Sequence, residues 1–201
     1  MLKTNEITYV SLDMEATGHI PGLFSMISLG AAAFDEQGRL LEKFLVNLKE
    51  LEGSKQDPDT MRFWQENPIA YLKTKENPQE PKLAMDQFHD WFQKFEHPVF
   101  VFMPQKFDGT FVYWYLQTFV EGMNFLTSPD AIDVKTMAMV ALNRNTPASK
   151  KFWKKSWKDA KHKHSHLADD DAWEQGVQFF KIWAYLKELH HKAWKYDDLN
   201  R

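Results

Sequence analysis

Asp13 and Glu15 stand two positions apart in a stretch, Ile7 to Ala16, whose residues alternate between polar and apolar. On a strand, residues i and i+2 point to the same side, so the two carboxylates converge. Anions held that close repel each other unless a cation or a proton intervenes, and oxygen-rich carboxylate clusters suit Mg²⁺ or Mn²⁺. The same tripeptide also fits an amphipathic strand with its polar face in water. A second acid, Asp108, follows Phe107 just beyond the apolar run Pro98 to Met103. Ligands of α/β sheets gather outside the carboxyl ends of strands, although an aspartate before Gly109 also serves as a helix cap. The third cluster is His162 to Ala172, with His166 followed five residues later by Asp171. On one continuous helix these two would lie about 140° apart. They converge only if His166 sits in a loop and Asp171 in the first turns of the helix after it. Otherwise the aspartates complement a helix dipole and the histidines form a solvated basic face.

The elements that must position these groups follow from periodicity and turn signals. Ile7 to Ala16 is a strand with Tyr9, Ser11, Asp13 and Glu15 on one face and Val10, Leu12, Met14 and Ala16 on the other. Ser25 to Asp35 is a second strand, and the turn Asp35-Glu36-Gln37-Gly38 leads into a third from Leu40 to Leu48. Asp57-Pro58 opens a short helix through Trp64. A helix from about Pro81 to Phe95 carries an aromatic stripe. The buried strand Pro98 to Met103 is followed by a helix over 110–120, a short strand Ala131 to Val134 and a helix from Lys135. A long amphipathic helix from about Ala168 to His190 closes the chain. A strand meander followed by strands alternating with helices predicts an α/β fold built on a mixed sheet.

Composition narrows the function classes. With 201 residues, 43% hydrophobic and 26% charged, the chain has enough apolar material for one core, and residues 1–201 are expected to form a single domain. The absence of cysteine excludes disulfides, thiolate metal sites and cysteine nucleophiles. A formal net charge of -3 means that any nucleic-acid surface must be local. The longest nearly apolar stretch, Phe24 to Phe34, is too short to span a bilayer. The start, MLKTNEITYV, lacks the apolar run of a signal peptide, so a cytoplasmic location is expected. One dense basic stretch, Lys150 to Lys163, stands out. On a helix it would put Lys150, Lys154, Lys158 and Lys161 near one face and Trp153 and Trp157 on another. Cations interleaved with aromatics fit a surface for single strands, and equally a solvated lysine face with core tryptophans.

Taken together, SLDMEATG (11–18), FDGTF (107–111) and HLADDDA (166–172) resemble the DEDDh family of 3'-5' exonucleases within the ribonuclease H-like superfamily. Thr60, Trp64, Gln65 and the Phe- and Trp-rich helix after them are similar to the oligoribonuclease and ribonuclease T-like branch. The resemblance implies a ribonuclease H-like mixed sheet, an antiparallel meander followed by parallel strands, flanked by helices. It implies Asp13, Glu15, Asp108 and Asp171 as ligands of two Mg²⁺ or Mn²⁺ ions, with Asp13 bridging. His166 is the implied general base, and Met14, Thr17, Trp64 and Phe107 are the expected substrate contacts. The implied reaction releases nucleoside 5'-monophosphates from the 3' end of a single strand, RNA being expected ahead of DNA. A DNA exonuclease of proofreading or repair, or a binding module without turnover, are the alternatives. The aromatic content of 15% leaves room for a homodimer, and no membrane partner is expected. Pro104 stands where family members often carry asparagine, and His164 with Asp169 repeats the His166–Asp171 spacing.

Overall fold

The computed structural model describes residues 6–124, 126–158 and 165–199, with side chains as far as 191. Its centre is a five-stranded sheet in the order β3-β2-β1-β4-β5. The strands are β1 (Ile7–Ala16), β2 (Met26–Phe34), β3 (Leu40–Asn47), β4 (His97–Phe102) and β5 (Ala131–Asp133). β1, β2 and β3 form the antiparallel meander, whereas β4 and β5 join in parallel. The mixed sheet expected from the sequence is therefore present. Every residue of β2 is buried, because helices cover the sheet on both faces.

Among the described residues six helices surround it: α1 (Pro58–Glu66), α2 (Pro68–Thr74), α3 (Pro81–Phe92), α4 (Asp108–Phe119), α5 (Val134–Ala141) and α6 (Ala168–Leu199). Asp57 caps α1, accepting the Thr60 amide at 2.9 Å. On one face Val10, Leu12, Leu29, Phe100 and Phe102 pack against Phe88 and Trp91 of α3 and Phe111 and Tyr115 of α4. On the other, Val101 packs with Val134 and Ala138 of α5 and Phe179 and Ile182 of α6. Among the described residues no helix is long and apolar enough to cross a membrane.

Three expectations need correction. The polar face of β1 is not a solvated face: α6 lies over it, Ser11 is 1% exposed, and Tyr9, Asp13 and Glu15 are half-buried. The basic stretch is not a regular helix in its described part. It makes two 3₁₀ turns, Lys150–Phe152 and Lys155–Trp157, and buries Trp153 and Trp157 in the second core. No lysine–tryptophan face therefore forms there, and Lys161 falls outside the described residues. Finally, α2 is an element that the periodicity did not signal.

Candidate active site

Three pieces of chain far apart in sequence meet at the carboxyl ends of β1 and β4. Asp13 and Glu15 leave β1 on the same side, as strand alternation requires. Parallel pairing of Ser11 with Val101 brings the turn after β4 beside them. That turn ends at Asp108, the first residue of α4, which is 4% exposed. Asp108 is thus built into the helix start, and the residue in the cap position is Phe107. The third piece is the start of α6, where Asp171 is buried in the first turn and its amide donates to the carbonyl of Leu167 at 2.9 Å. His166 precedes the helix with φ +54°. This left-handed residue turns the chain so that imidazole and carboxylate converge, as the 140° offset on a continuous helix demands. One ligand atom each from Glu15, His166 and Asp171 lies within 4.8 Å of the others.

What seats α6 here is Gly30 of β2, the register partner of Asp13. A β-carbon at Gly30 would lie 2.0 Å from the Ala168 carbonyl carbon, so only glycine lets the helix start come this close. Gln175, one turn beyond Asp171, fastens the other side. Its Nε2 is 3.1 Å from Ser11 Oγ, 3.0 Å from the Leu12 carbonyl and 2.9 Å from the Val101 carbonyl. The helix that carries Asp171 is thereby tied to the two strands that carry or approach the other acids. Sequence reasoning missed Gly30 and Gln175; a glutamine one helical turn after the acid and one before Phe179, on the face turned to the sheet, was the available signal.

The resulting cleft, about 490 Å³, is lined by Asp13, Glu15, Asp108, His166 and Asp171 together with Lys150 and others. Burial, then repulsion from Asp108, Glu15 and Asp171, holds the Asp13 carboxyl well above its ordinary range. Burial and the charges of Asp171 and Asp108 do the same to Glu15. Asp108 is pushed up to about 7, chiefly by burial, against the lowering effect of Lys135 and local backbone amides. With Asp13, Glu15 and Asp108 all held above their ordinary range and Asp171 beside them, the site is short of positive charge. Hard oxygen donors with one imidazole fit a divalent cation of the Mg²⁺ or Mn²⁺ type. Lys150 supplies part of the missing charge, since it favours the ionised form of Asp13.

The expected substrate contacts divide into two groups. Met14, between the acids, and Phe107 line both this cleft and an adjoining pocket of about 420 Å³. Thr17 is fully buried, and its hydroxyl accepts the Ser25 amide at 2.9 Å, so it braces the end of β1. Trp64 is 2% exposed, donates its indole N–H to the Ala16 carbonyl at 3.0 Å and packs on Tyr71. The half-buried ring beside His166 is Phe63, 4.9 Å away between centroids. Thr17 therefore braces the strand end, whereas Trp64, though anchored, lines the adjoining pocket together with Phe63. Of the second His–Asp register, Asp169 pairs with Lys43 at 2.6 Å, and His164 falls outside the described residues. Asp133 caps α5 by accepting the Thr136 amide and also accepts the Gln105 amide.

A mixed sheet in this order, with acids at the ends of its central strands and a histidine ahead of the last helix, is an arrangement of the ribonuclease H-like kind. Comparison with known proteins agrees. The chain is 28% identical over 142 residues to the 3'-5' DNA exonuclease Cap18 of Escherichia coli, covering 68% of this chain and 70% of that one. Its fold matches Mg²⁺- and Mn²⁺-bound Pop2p of S. pombe with a TM-score of 0.66 at 16% identity, over 87% of this chain and 82% of that one. It matches the zinc-bound complex of E. coli exonuclease I with single-stranded DNA, also at 0.66, with 12% identity. There 95% of this chain aligns to only 42% of the larger protein. No family model matches the chain. The likeness to 3'-5' exonucleases drawn from three short motifs thus extends over most of the fold.

Proposed function

We propose that this protein is a metal-dependent 3'-5' exonuclease that removes nucleoside 5'-monophosphates from single-stranded nucleic acid. The observation that carries the reading is the convergence of Asp13, Glu15, Asp108, Asp171 and His166 in one cleft. The E. coli relative, a 3'-5' DNA exonuclease, supports it. Asp13, Glu15, Asp108 and Asp171 would hold two divalent ions. When bound, these ions supply charge neutralisation at the scissile phosphate and at the developing alkoxide. The Mg²⁺ and Mn²⁺ bound to Pop2p support the choice of ion. His166 takes the proton from the attacking water as its oxygen bonds to the last phosphorus. The bond from phosphorus to the 3'-oxygen of the penultimate nucleotide then breaks, and that oxygen is protonated as the shortened strand's new 3'-hydroxyl. Lys150 faces the same cleft and offsets negative charge as the phosphate enters.

The sugar preference is drawn from the relatives. Single-stranded DNA is favoured over the RNA expected from the oligoribonuclease-like segment, because the relative in sequence acts on DNA and exonuclease I is complexed with single-stranded DNA. The test is a time course on 5'-labelled single-stranded DNA and RNA with Mn²⁺, Mg²⁺ or EDTA, beside Asp13→Asn and His166→Ala. A metal-dependent ladder shortening from the 3' end, lost in both variants, is expected, with His166→Ala still binding Mn²⁺. Ladders that persist in Asp13→Asn, or that ignore EDTA, overturn the proposal.

A further inference from the structure

The catalytic cleft does not end at its acids. Beyond Pro104, Lys135 and Ser149, which belong to both, it opens into a groove of about 1100 Å³. On the other side of the acids, across Met14, Glu15 and Phe107, lies the pocket of about 420 Å³. The three concavities form one trough with the carboxylates in the middle. The groove is more than twice the size of the pocket, and it exceeds the roughly 300–1,000 Å³ typical of small-molecule sites. Its floor includes the half-buried rings of Tyr113, whose hydroxyl donates to the Pro129 carbonyl, and Trp114, both on α4, with Gln105 and Gln117 nearby. Lys106 and Lys135 stand along it, and Lys150 stands where the cleft begins. Two acids also line it. Asp133 is occupied by the Thr136 and Gln105 amides, and exposed Asp130 lies at the far end, before β5.

Resting on the exonuclease reading, we propose that this groove, between α4 and the β5–α5 segment, holds the nucleotides 5' to the scissile bond. The 420 Å³ pocket then takes the terminal nucleoside. The argument is continuity and lining together. A strand whose last phosphate lies at the carboxylates must leave the cleft on one side, and only the larger concavity has room for more than one further unit. Aromatic faces receive bases without regard to sequence, and lysines along the path meet the backbone. Amide side chains offer donors and acceptors to base edges. A duplex presents no unpaired bases to such a floor, so the groove also commits the enzyme to single strands.

The test uses two side chains at the groove that can change without cost to the fold. Thr110 and Thr118 are exposed on α4, and each hydroxyl merely donates back to a carbonyl four residues earlier. In Thr110→Glu/Thr118→Glu, two carboxylates face any phosphodiester in the groove. The readout is the ratio of kcat/KM on a tetranucleotide to that on the p-nitrophenyl ester of thymidine 5'-monophosphate, which has no upstream nucleotide. The ratio should fall at least about tenfold, because like charges now oppose across the contact. An unchanged ratio overturns the groove assignment while leaving the exonuclease reading intact. Should the wild type turn over neither substrate, the exonuclease reading fails and direct binding decides the groove. Anisotropy of labelled (dT)8 in EDTA, weakened about tenfold by the double variant, upholds it. Equal binding by both proteins, or none by either, overturns it.

Discussion

Gly30→Ala is the sharpest perturbation of the site that touches none of its chemical groups. A β-carbon there would lie 2.0 Å from the Ala168 carbonyl carbon, 2.2 Å from the Asp169 nitrogen and 2.3 Å from the Ala168 oxygen. All three are backbone atoms, so no side chain can turn aside to make room. Ordinary contact begins at 3.4 Å, and the first turn of α6 must therefore retreat by about 1.4 Å. Asp171 moves with that turn, away from Glu15, which lies on β1 and does not follow. A misplacement of about 1 Å costs on the order of 10²-fold in turnover. Overpacking of this kind also costs roughly 1–3 kcal/mol of stability, which for a chain of this size lowers Tm by about 2–12 °C. The assay is the exonuclease time course with Mn²⁺ well below the melting point, beside calorimetric Mn²⁺ titration and thermal unfolding. Ile182→Ala is the control: it empties core space farther along α6 and costs about 2–5 kcal/mol without displacing an acid. Gly30→Ala should lose turnover and Mn²⁺ affinity out of proportion to its Tm, whereas Ile182→Ala loses Tm alone. Wild-type melting and wild-type turnover in Gly30→Ala would refute the claim that this contact seats the helix.

Other outcomes follow from the same geometry. Asp169→Asn removes only a partly exposed pairing with Lys43, worth under about 1 kcal/mol, and should keep activity within about twofold, whereas Asp171→Asn should lose on the order of 10²-fold or more; comparable losses in both would reopen the choice between the two registers. Gln175→Ala strands the Leu12 and Val101 carbonyls in a buried place and should cost about 2–3 kcal/mol in urea unfolding; an unchanged midpoint would show that the amide does not bind helix to sheet. In EDTA, stability should fall as pH rises from about 5 to 7.5. Asp108 has its ordinary pKa of 3.8 when unfolded and about 7 when folded, so the folded chain binds more protons across that window and loses the advantage as it releases them. Saturating Mn²⁺ should flatten or reverse the slope; a chelated protein that gains stability over this range would contradict the crowding of the four acids.

Much of the fold was legible because its signals are local. Alternation along β1, the Asp35–Gly38 turn and the Asp57-Pro58 helix start each specify an element from a few neighbouring residues, and the elements stand within a few residues of where those signals put them. Elements decided by distant partners were not legible. Helix α2 exposes Ile69 and Leu72 and buries Ala70 and Thr74, the reverse of its apolar pattern, because its docking and not its composition chooses the face. Phe63 and Trp64 are adjacent, and only the Ala16 carbonyl, 48 residues upstream, decides that the tryptophan turns inward. Trp153 and Trp157 read equally well as a stacking surface until Val134 and Phe179 close over them.

The site itself was legible for the opposite reason: its residues disagree with their surroundings. A buried strand end that carries two acids, a helix that opens with an aspartate under 5% exposed and a histidine with positive φ each violate a local rule of stability. Asp108 and Asp171 raise the pKa of both Asp13 and Glu15, so the acids of β1 are harder to ionise for having the other two beside them. No packing advantage requires four such groups to meet. Gly30 and Gln175 hold α6 against that repulsion, and Lys150 relieves only part of it. Local rules give way where a sequence serves function instead of packing, and here they give way together, in one cleft, on groups whose shared chemistry suits a divalent cation.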